Sequence, residues 1–251
     1  MLFQKAQIIK LESTRSTNQY ISELLRTRQL DEGTVISAYS QTNGKGLEDN
    51  IWESEAGKNL TLSVVLYPTF LKPELQFQLT KVVSLAVCKT LDAFKLPLPA
   101  VIKWPNDIYL GNRKIAGILI KNEISGNRIS ASIAGLGLNV NQEVFSKNAP
   151  GAVSLKMLTG NDFDTEKILT EWHSNLAYWY EKLMNADNRL LDKTYLERLY
   201  LLNTPAEYRI RGERKMATIN GLADYGMLRL QCSDGIEYTC SLKEVEFANN
   251  W

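Results

Sequence analysis

Histidine is almost absent from this sequence, since His173 is the only one among 251 residues. A metal site built on histidine ligands is therefore not expected. The three cysteines, Cys88, Cys232 and Cys240, show neither a CxxC spacing nor a disulfide framework. Sparse, unpatterned cysteine is typical of a protein from a reducing compartment.

Long hydrophobic runs and an excess of one charge are also lacking. No stretch approaches the roughly twenty apolar residues that cross a bilayer, and the first residues lack the features of a secretory signal. With 29 Lys and Arg against 28 Asp and Glu, the net charge is +1, so no overall basic field indicates nucleic-acid binding. We expect a cytoplasmic protein whose partners include neither membrane nor nucleic acid.

The composition that remains, 44% apolar and 23% charged, is that of an ordinary globular protein. Runs of β-favouring residues with helices between and after them predict an α+β fold, with a mixed or antiparallel sheet flanked by helices. Five short β runs between residues 207 and 247, separated by glycine turns, predict a small closed barrel. We place the domains at 1–203 and 204–251.

Residues 101–142 show the strongest local pattern. The turn sequences Gly-Asn at 111–112 and Ser-Gly-Asn at 125–127 separate apolar, β-branched runs, which predicts consecutive hairpins. Gly117, Gly135 and Gly137 interrupt these strands, and glycine inside a strand indicates a bulge or a close approach to the backbone. A plain surface hairpin with solvated lysines is the structural alternative.

A polar loop at residues 41–60 holds Lys45 between Gly44 and Gly46. Such a loop can bring N–H groups and an ammonium to a phosphate, although a solvated turn gives the same pattern. Trp52, in the same loop, must cover either core or a flat ligand such as a nucleobase.

The KWPND segment places Lys103, Asn106 and Asp107 at a strand entrance. An amide and a carboxylate beside a lysine suit a polar ligand and Mg²⁺. No Ser/His/Asp or Cys/His nucleophile set is apparent in the sequence. These residues indicate a site that positions charged reactants without a covalent catalyst.

Five motifs in order resemble those of the biotin–protein ligases, over about residues 10–247: STN at 16–18, QTNGKG with Trp52 and GKNL downstream, KWPNDIYL, RKIAGILI and GLGLNVN. The terminal EVEF segment resembles the end of that family's small barrel. The resemblance implies a catalytic domain like those of class II aminoacyl-tRNA synthetases and biotin ligases. Because the motifs begin near residue 16, it also implies the ligase-only class, without an N-terminal DNA-binding module.

The chemistry implied by the resemblance is the joining of biotin and ATP into biotinyl-5′-adenylate, with Mg²⁺, followed by transfer to one lysine of a biotin carboxyl carrier domain. The implied biotin-binding residues are Ser16, Thr17, Asn18, Gln41, Gly44, Lys45, Gly46, Leu47, Lys114, Gly117 and Gly135. Those implied for ATP are Trp52, Lys103, Asn106, Arg113, Lys114 and Asn139. The catalytic set would be Lys114, Lys103, Lys45 and Asp107, with Asp107 also a metal ligand.

One loop departs from the family pattern, in which many members carry arginines before the tryptophan. Here residues 44–58 contain two lysines (45 and 58) and four acids (48, 49, 53 and 55), which gives a net charge of −2. A weaker hold on the adenylate, a greater dependence on Mg²⁺ and a loss of catalysis are three hypotheses for its effect.

Two rival functions remain open at the level of sequence: a lipoate–protein ligase or lipoyl transferase, and a non-catalytic biotin-binding sensor or regulator. The KWPND and GKNL motifs favour biotin over lipoate, and the near-neutral charge disfavours a DNA-binding regulator. A homodimer is kept open as an alternative to a monomer, because pattern alone does not identify a pairing sheet edge.

Overall fold

A computed structural model describes residues 2–248. Its larger sheet has seven strands in the order β1-β2-β3-β7-β6-β5-β4. Only β1 and β2 pair in parallel, and the other neighbours are antiparallel, which confirms the predicted mixed sheet. The strands are β1 (Ile8–Thr14), β2 (Val35–Gln41), β3 (Leu60–Leu66), β4 (Ala100–Lys103), β5 (Asp107–Leu110), β6 (Arg113–Ser125) and β7 (Arg128–Leu138).

Helices cover both faces of this sheet, and they are α1 (Thr17–Leu24), α2 (Phe77–Asp92), α3 (Leu155–Thr159), α4 (Thr165–Met184) and α5 (Asn188–Glu197). Helices α2 and α4 pack together in the main core, where Trp172 and Tyr180 are fully buried. Trp172, Trp179 and Tyr180 of α4 all belong to this core. Helix α1 lies on the opposite face, where Ile21 belongs to a smaller apolar cluster with Val65 and Ile133.

Alternation along the strands decides which residues face each side of the sheet. In β7, Leu136 and Leu138 belong to the main core, so Gly135 and Gly137 face the side of α1. In β3, Leu62 and Val64 point to the main core, which leaves Thr61 and Ser63 on the same side as those glycines. At these four positions, the α1 face of the sheet carries small and hydroxyl-bearing residues.

The C-terminal segment forms a second, five-stranded sheet in the order β11-β10-β9-β8-β12. Its strands are β8 (Pro205–Ile210), β9 (Glu213–Leu222), β10 (Leu228–Cys232), β11 (Glu237–Cys240) and β12 (Val245–Phe247). The predicted closed barrel is corrected here to an open sheet, because the short edge strands β11 and β12 do not pair with each other within residues 2–248. The boundary between residues 203 and 204 stays a prediction, and β8 begins just after it.

The described part of the chain, 2–248, contains no helix with the length and apolar character needed to cross a membrane.

Candidate functional site

A cavity of about 240 Å³ lies on the α1 face of the large sheet. Its floor is formed by β3, β6 and β7, and its walls by the start of α1, the end of β2, the loop of residues 44–52 and the start of β5. Most of the residues expected from the sequence line it: Ser16, Thr17, Asn18, Gln41, Lys45, Gly46, Leu47, Trp52, Asn106, Asp107, Lys114, Gly117 and Gly135.

One end of the cavity is a hydrogen-bonded network of neutral polar groups. The backbone N–H of Thr17 donates to Gln41 Oε1 at 2.8 Å, and the Thr17 hydroxyl donates to the same oxygen at 3.2 Å. Ser63 Oγ lies 2.6 Å from both Thr17 Oγ1 and Asn18 Oδ1, and Asn18 Nδ2 donates to the carbonyl of Leu119 at 3.0 Å. Fixed donors and acceptors of this kind suit an uncharged polar head group.

The other end carries an ion pair. Lys114 Nζ lies 2.7 Å from Asp107 Oδ1, and the two side chains are 33% and 21% exposed. The backbone of Lys114 is fixed on both sides, because its N–H donates to Gly151 and its carbonyl accepts from Val153, each at 2.9 Å. A half-buried ammonium on a rigid strand is suited to stabilise negative charge that develops in the cavity.

The loop of residues 44–52 folds over the cavity as a small hairpin. The N–H of Gly46 donates to the carbonyl of Asn50 at 2.7 Å, and the N–H of Trp52 donates to that of Gly44 at 3.0 Å. Leu47 and Glu48 stand at its tip and line the cavity. The indole of Trp52 lies on the sheet with its ring centroid 5.7 Å from Lys114 Nζ.

Lys103 was expected among the ATP-binding and catalytic residues, and it is not one of the residues that line the cavity. Its ammonium lies 3.2 Å from the hydroxyl of Tyr109 and 4.9 Å from the ring centroids of Tyr109 and Phe247. Burial lowers the pKa of Lys103 and nearby Lys114 lowers it further, while Asp107 acts in the opposite direction. Lys103 is therefore not among the cavity-lining residues but sits between β5 and the C-terminal sheet.

Three other expected residues also lie outside the lining. Arg113 is exposed at the start of β6. Asn139 is buried and donates to the carbonyl of Val153 at 3.1 Å, so its amide holds the segment after β7. Gly44 is buried within the loop, with its carbonyl bound to Trp52. Asn106 does line the cavity, but its amide donates to the carbonyl of Ile118 at 2.7 Å.

The structure adds residues that the sequence-based set of site residues did not include. Ser63 belongs to the polar network, and Gly137 lines the cavity beneath Trp52. The shared face of Thr61 and Ser63 in a strand of alternating apolar residues was the available signal for Ser63. Leu242, in the short helical turn between β11 and β12, also lines the cavity, and no local pattern indicates so distant a contact.

Asp107 was the expected metal ligand. Among residues 2–248, no cluster of three or more His, Cys, Asp or Glu side chains could hold a metal ion. A single carboxylate paired with a lysine fits only a hard cation that takes most of its oxygen ligands from a bound phosphate and water, as Mg²⁺ commonly does.

Together, the mixed sheet and this cavity define an α+β protein whose cavity is lined by neutral polar groups at one end and by an ion pair and an indole at the other. Residues 11–139, about half of the chain, match the sequence model described as the biotin/lipoate A/B protein ligase family. The chain belongs to this family.

Curated relatives agree with this assignment. A biotin–[acetyl-CoA-carboxylase] ligase of Paracoccus denitrificans is 29% identical over 227 residues, which cover 88% of this chain and 92% of the relative. A bifunctional ligase/repressor BirA of Bacillus spizizenii is 31% identical over 159 residues, which cover 61% of this chain and 48% of the relative. The match thus covers less than half the length of the BirA relatives, namely 48% of the Bacillus spizizenii protein and 39% of the BirA of Bacillus subtilis.

Solved structures share the fold. The biotin protein ligase of Aquifex aeolicus, in complex with biotin and ATP, superposes with a TM-score of 0.78 at 24% identity, covering 96% of this chain and 97% of that one. The ligase of Leishmania major in complex with biotinyl-5-AMP gives a TM-score of 0.61 at 22% identity, covering 94% and 98%.

Proposed function

We propose that this protein is an ATP-dependent biotin–protein ligase, which activates biotin as biotinyl-5′-adenylate and transfers it to a lysine of a biotin carboxyl carrier domain in the cytoplasm. The observation that supports the proposal best is the arrangement of one cavity with a neutral polar end, an indole and a lysine–aspartate end. Family membership and the relatives named above support the same activity.

In the first step, an oxygen of the biotin carboxylate attacks the α-phosphorus of ATP, the bond to the β-phosphate oxygen breaks and pyrophosphate leaves. Both reactants are negatively charged, so the barrier contains a large electrostatic repulsion. Lys114 reduces this repulsion from a fixed position, and Lys45 adds a second positive charge from the loop. The polar network around Asn18 and Gln41 holds the head group, so that the carboxylate lies at the charged end.

In the second step, the ε-amine of the acceptor lysine attacks the acyl carbon of the adenylate, AMP leaves with the bonding electrons and the amine loses a proton. Asp107, which lines the cavity beside Lys114, is the carboxylate that would orient that amine. Mg²⁺, when bound with the nucleotide, would shield the phosphate charges, and Asp107 is the residue that would contribute an oxygen to it. Trp52 provides the flat surface on which adenine stacks.

The proposal is tested by incubating the protein with ATP, Mg²⁺, biotin and a carrier domain, and reading the carrier by intact mass. The expected result is a mass increase equal to one biotin minus water, together with one pyrophosphate per product. Binding of biotin without release of pyrophosphate would instead support the non-catalytic sensor.

Lipoate is the specific competitor, because the family matched by residues 11–139 includes both biotin and lipoate ligases. Lipoate lacks a ureido ring, so its head group cannot form hydrogen bonds with the donors and acceptors around Thr17, Asn18 and Gln41. Titration calorimetry with each acid separates the two, and tighter binding of lipoate would overturn the assignment to biotin. The molar mass measured by light scattering during gel filtration decides between a monomer and a homodimer.

A further inference from the structure

Two rows of residues run across the three strands that form the floor of the cavity. One row is Ser63 of β3, Gly135 of β7 and Leu119 of β6. The neighbouring row is Thr61, Gly137 and Gly117 on the same three strands. On the face that carries these rows, the middle strand has glycine at both positions, 135 and 137, two residues apart.

Above Gly135 lies the amide of Asn18. It accepts from Ser63 on β3 at 2.6 Å and donates to the carbonyl of Leu119 on β6 at 3.0 Å, so it bridges across the strand that carries Gly135. A β-carbon on Gly135 would lie 2.7 Å from Asn18 Oδ1 and 2.9 Å from Nδ2. The bridge therefore exists only because position 135 has no side chain.

Above Gly137 lies the indole of Trp52. A β-carbon on Gly137 would lie 2.1 Å from Cε2 and 2.5 Å from Nε1 of the ring, and one on Gly117 would lie 3.1 Å from Cζ3. The cross-strand pair of glycines at 117 and 137 therefore forms the seat of the indole. Alanine at 137 cannot coexist with Trp52 in this position.

Backbone conformation does not explain these glycines. Gly117, Gly135 and Gly137 are not among the glycines with positive φ, so alanine would fit the backbone of each strand. What the three positions provide is space for a side chain above the sheet. Their substitution should thus act on the overlying side chain rather than on the strand.

We propose that Gly135 and Gly137 are positioning residues, and that each fixes the geometry of one end of the cavity independently of the other. Gly135 seats Asn18 and sets the end that receives the head group of biotin, whereas Gly137, with Gly117, seats Trp52 and sets the end that receives the nucleotide. This inference rests on the proposed function for the identity of the two ligands. The seating itself is a property of the protein alone.

The test compares Gly135→Ala with Gly137→Ala, each serving as the matched control of the other, in biotin-dependent exchange of pyrophosphate into ATP. Overpacking of this size predicts a rise of about tenfold in the KM for biotin with Gly135→Ala, and of about tenfold in the KM for ATP with Gly137→Ala. The KM for the other substrate should stay within about twofold in each variant. Equal changes in both constants would overturn the division.

A double-mutant cycle adds a rescue. In a Trp52→Leu background the clash is gone, so Gly137→Ala should have no further effect on the KM for ATP, while Gly135→Ala should keep its full effect on biotin. Full additivity of Gly137→Ala and Trp52→Leu would show that the glycine does not act through the indole.

A spectroscopic measurement keeps the seating testable without activity. For the wild type and for each glycine variant, the fluorescence of Trp52 is obtained by subtracting the emission of the same protein with Trp52→Phe. Gly137→Ala should make the emission of Trp52 more accessible to quenching by acrylamide. Gly135→Ala should leave that quenching unchanged. Unchanged quenching in Gly137→Ala would refute the seat. A wild type that catalyses no exchange with biotin would refute the proposed function and leave this result standing.

Discussion

At the scale of single residues, Lys114 is the side chain on which the proposed adenylation depends most. Its ammonium, 2.7 Å from Asp107, is the fixed positive charge at the charged end of the cavity. We expect Lys114→Ala to lower the rate of adenylate formation by at least about 100-fold, because removal of one preorganised charge-stabilising group has effects of that size. The measurement is release of pyrophosphate in a single turnover.

Lys121→Ala is the matched control for this variant, since Lys121 is an exposed lysine of the same strand, β6, and does not line the cavity. It should keep the wild-type rate, and both variants should give the circular dichroism of the wild type. Normal turnover in Lys114→Ala would remove the role assigned to it.

Lys103 leads to a prediction about pH. Burial lowers its pKa in the folded protein below the ordinary value of 10.5, so the unfolded chain binds more protons between those two values. Stability of the wild type relative to Lys103→Met should therefore rise as the pH is raised through that window. Burial raises the pKa of Tyr109 above its usual range, so this neighbour stays neutral throughout.

Urea midpoints of both proteins at several pH values from neutral to 10.5 measure this difference. A difference that does not change with pH would show that the ammonium of Lys103 is not held in the aromatic surroundings of Tyr109 and Phe247.

At the scale of elements, the loop of residues 44–52 is where this chain departs from the arginine-rich pattern. Glu48 stands at the tip of the loop and lines the cavity, where its negative charge opposes that of an adenylate. We expect Glu48→Gln to slow the release of biotinyl-adenylate by about threefold, which is the effect of a partly screened like charge. Retention of radiolabelled adenylate on a filter gives the rate.

Glu55→Gln removes the same charge from the acidic segment of residues 44–58, but at a position outside the loop 44–52 and outside the cavity lining, so it should leave the release rate unchanged. If both variants slow release equally, the effect comes from the overall charge of the segment and not from the position of Glu48.

Local elements were predictable from the sequence, because their causes are local. The turns at 111–112 and 125–127 fix the hairpins β5–β6 and β6–β7, and the polar loop contributes residues 45–48 and 50–52 to the lining of the cavity. Lys103 was assigned to the cavity because it stands beside Asn106 in one motif. Its burial against Phe247 depends on a contact 144 positions away in the chain (247 − 103), which no spacing rule contains.

At the scale of the whole molecule, the two sheets meet at the KWPND turn. Trp104 Nε1 donates to the carbonyl of Gly226 at 2.8 Å, Lys103 lies against Phe247, and Leu242 reaches the cavity. The sequence predicted both units but could not predict this contact, because each partner looks like an ordinary residue of its own segment. The open form of the second sheet was missed for a related reason, since the pairing of edge strands depends on their three-dimensional approach.

The contribution of the contact between the sheets to stability can be measured by comparing two tryptophans of equal exposure. Trp104 and Trp179 are each 6% exposed, but Trp179 Nε1 is buried without a hydrogen-bond partner in the described part of the chain. Replacement by phenylalanine removes similar volume from both sites, and only Trp104→Phe leaves a carbonyl without its donor. We expect Trp104→Phe to lower the free energy of unfolding by about 1–2 kcal/mol more than Trp179→Phe does.

Urea unfolding of both variants gives that difference, and ATP kinetics shows whether the contact reaches the site. Because Trp104 precedes the cavity-lining residues Pro105, Asn106 and Asp107, loosening its bond to the second sheet should raise the KM for ATP, while Trp179→Phe should leave it unchanged. If Trp104→Phe and Trp179→Phe lose the same stability and have the same KM for ATP, the contact of the KWPND turn with the second sheet has no influence on the site. A selective rise in the KM of Trp104→Phe would mean that the second sheet holds this turn in the geometry that the nucleotide requires.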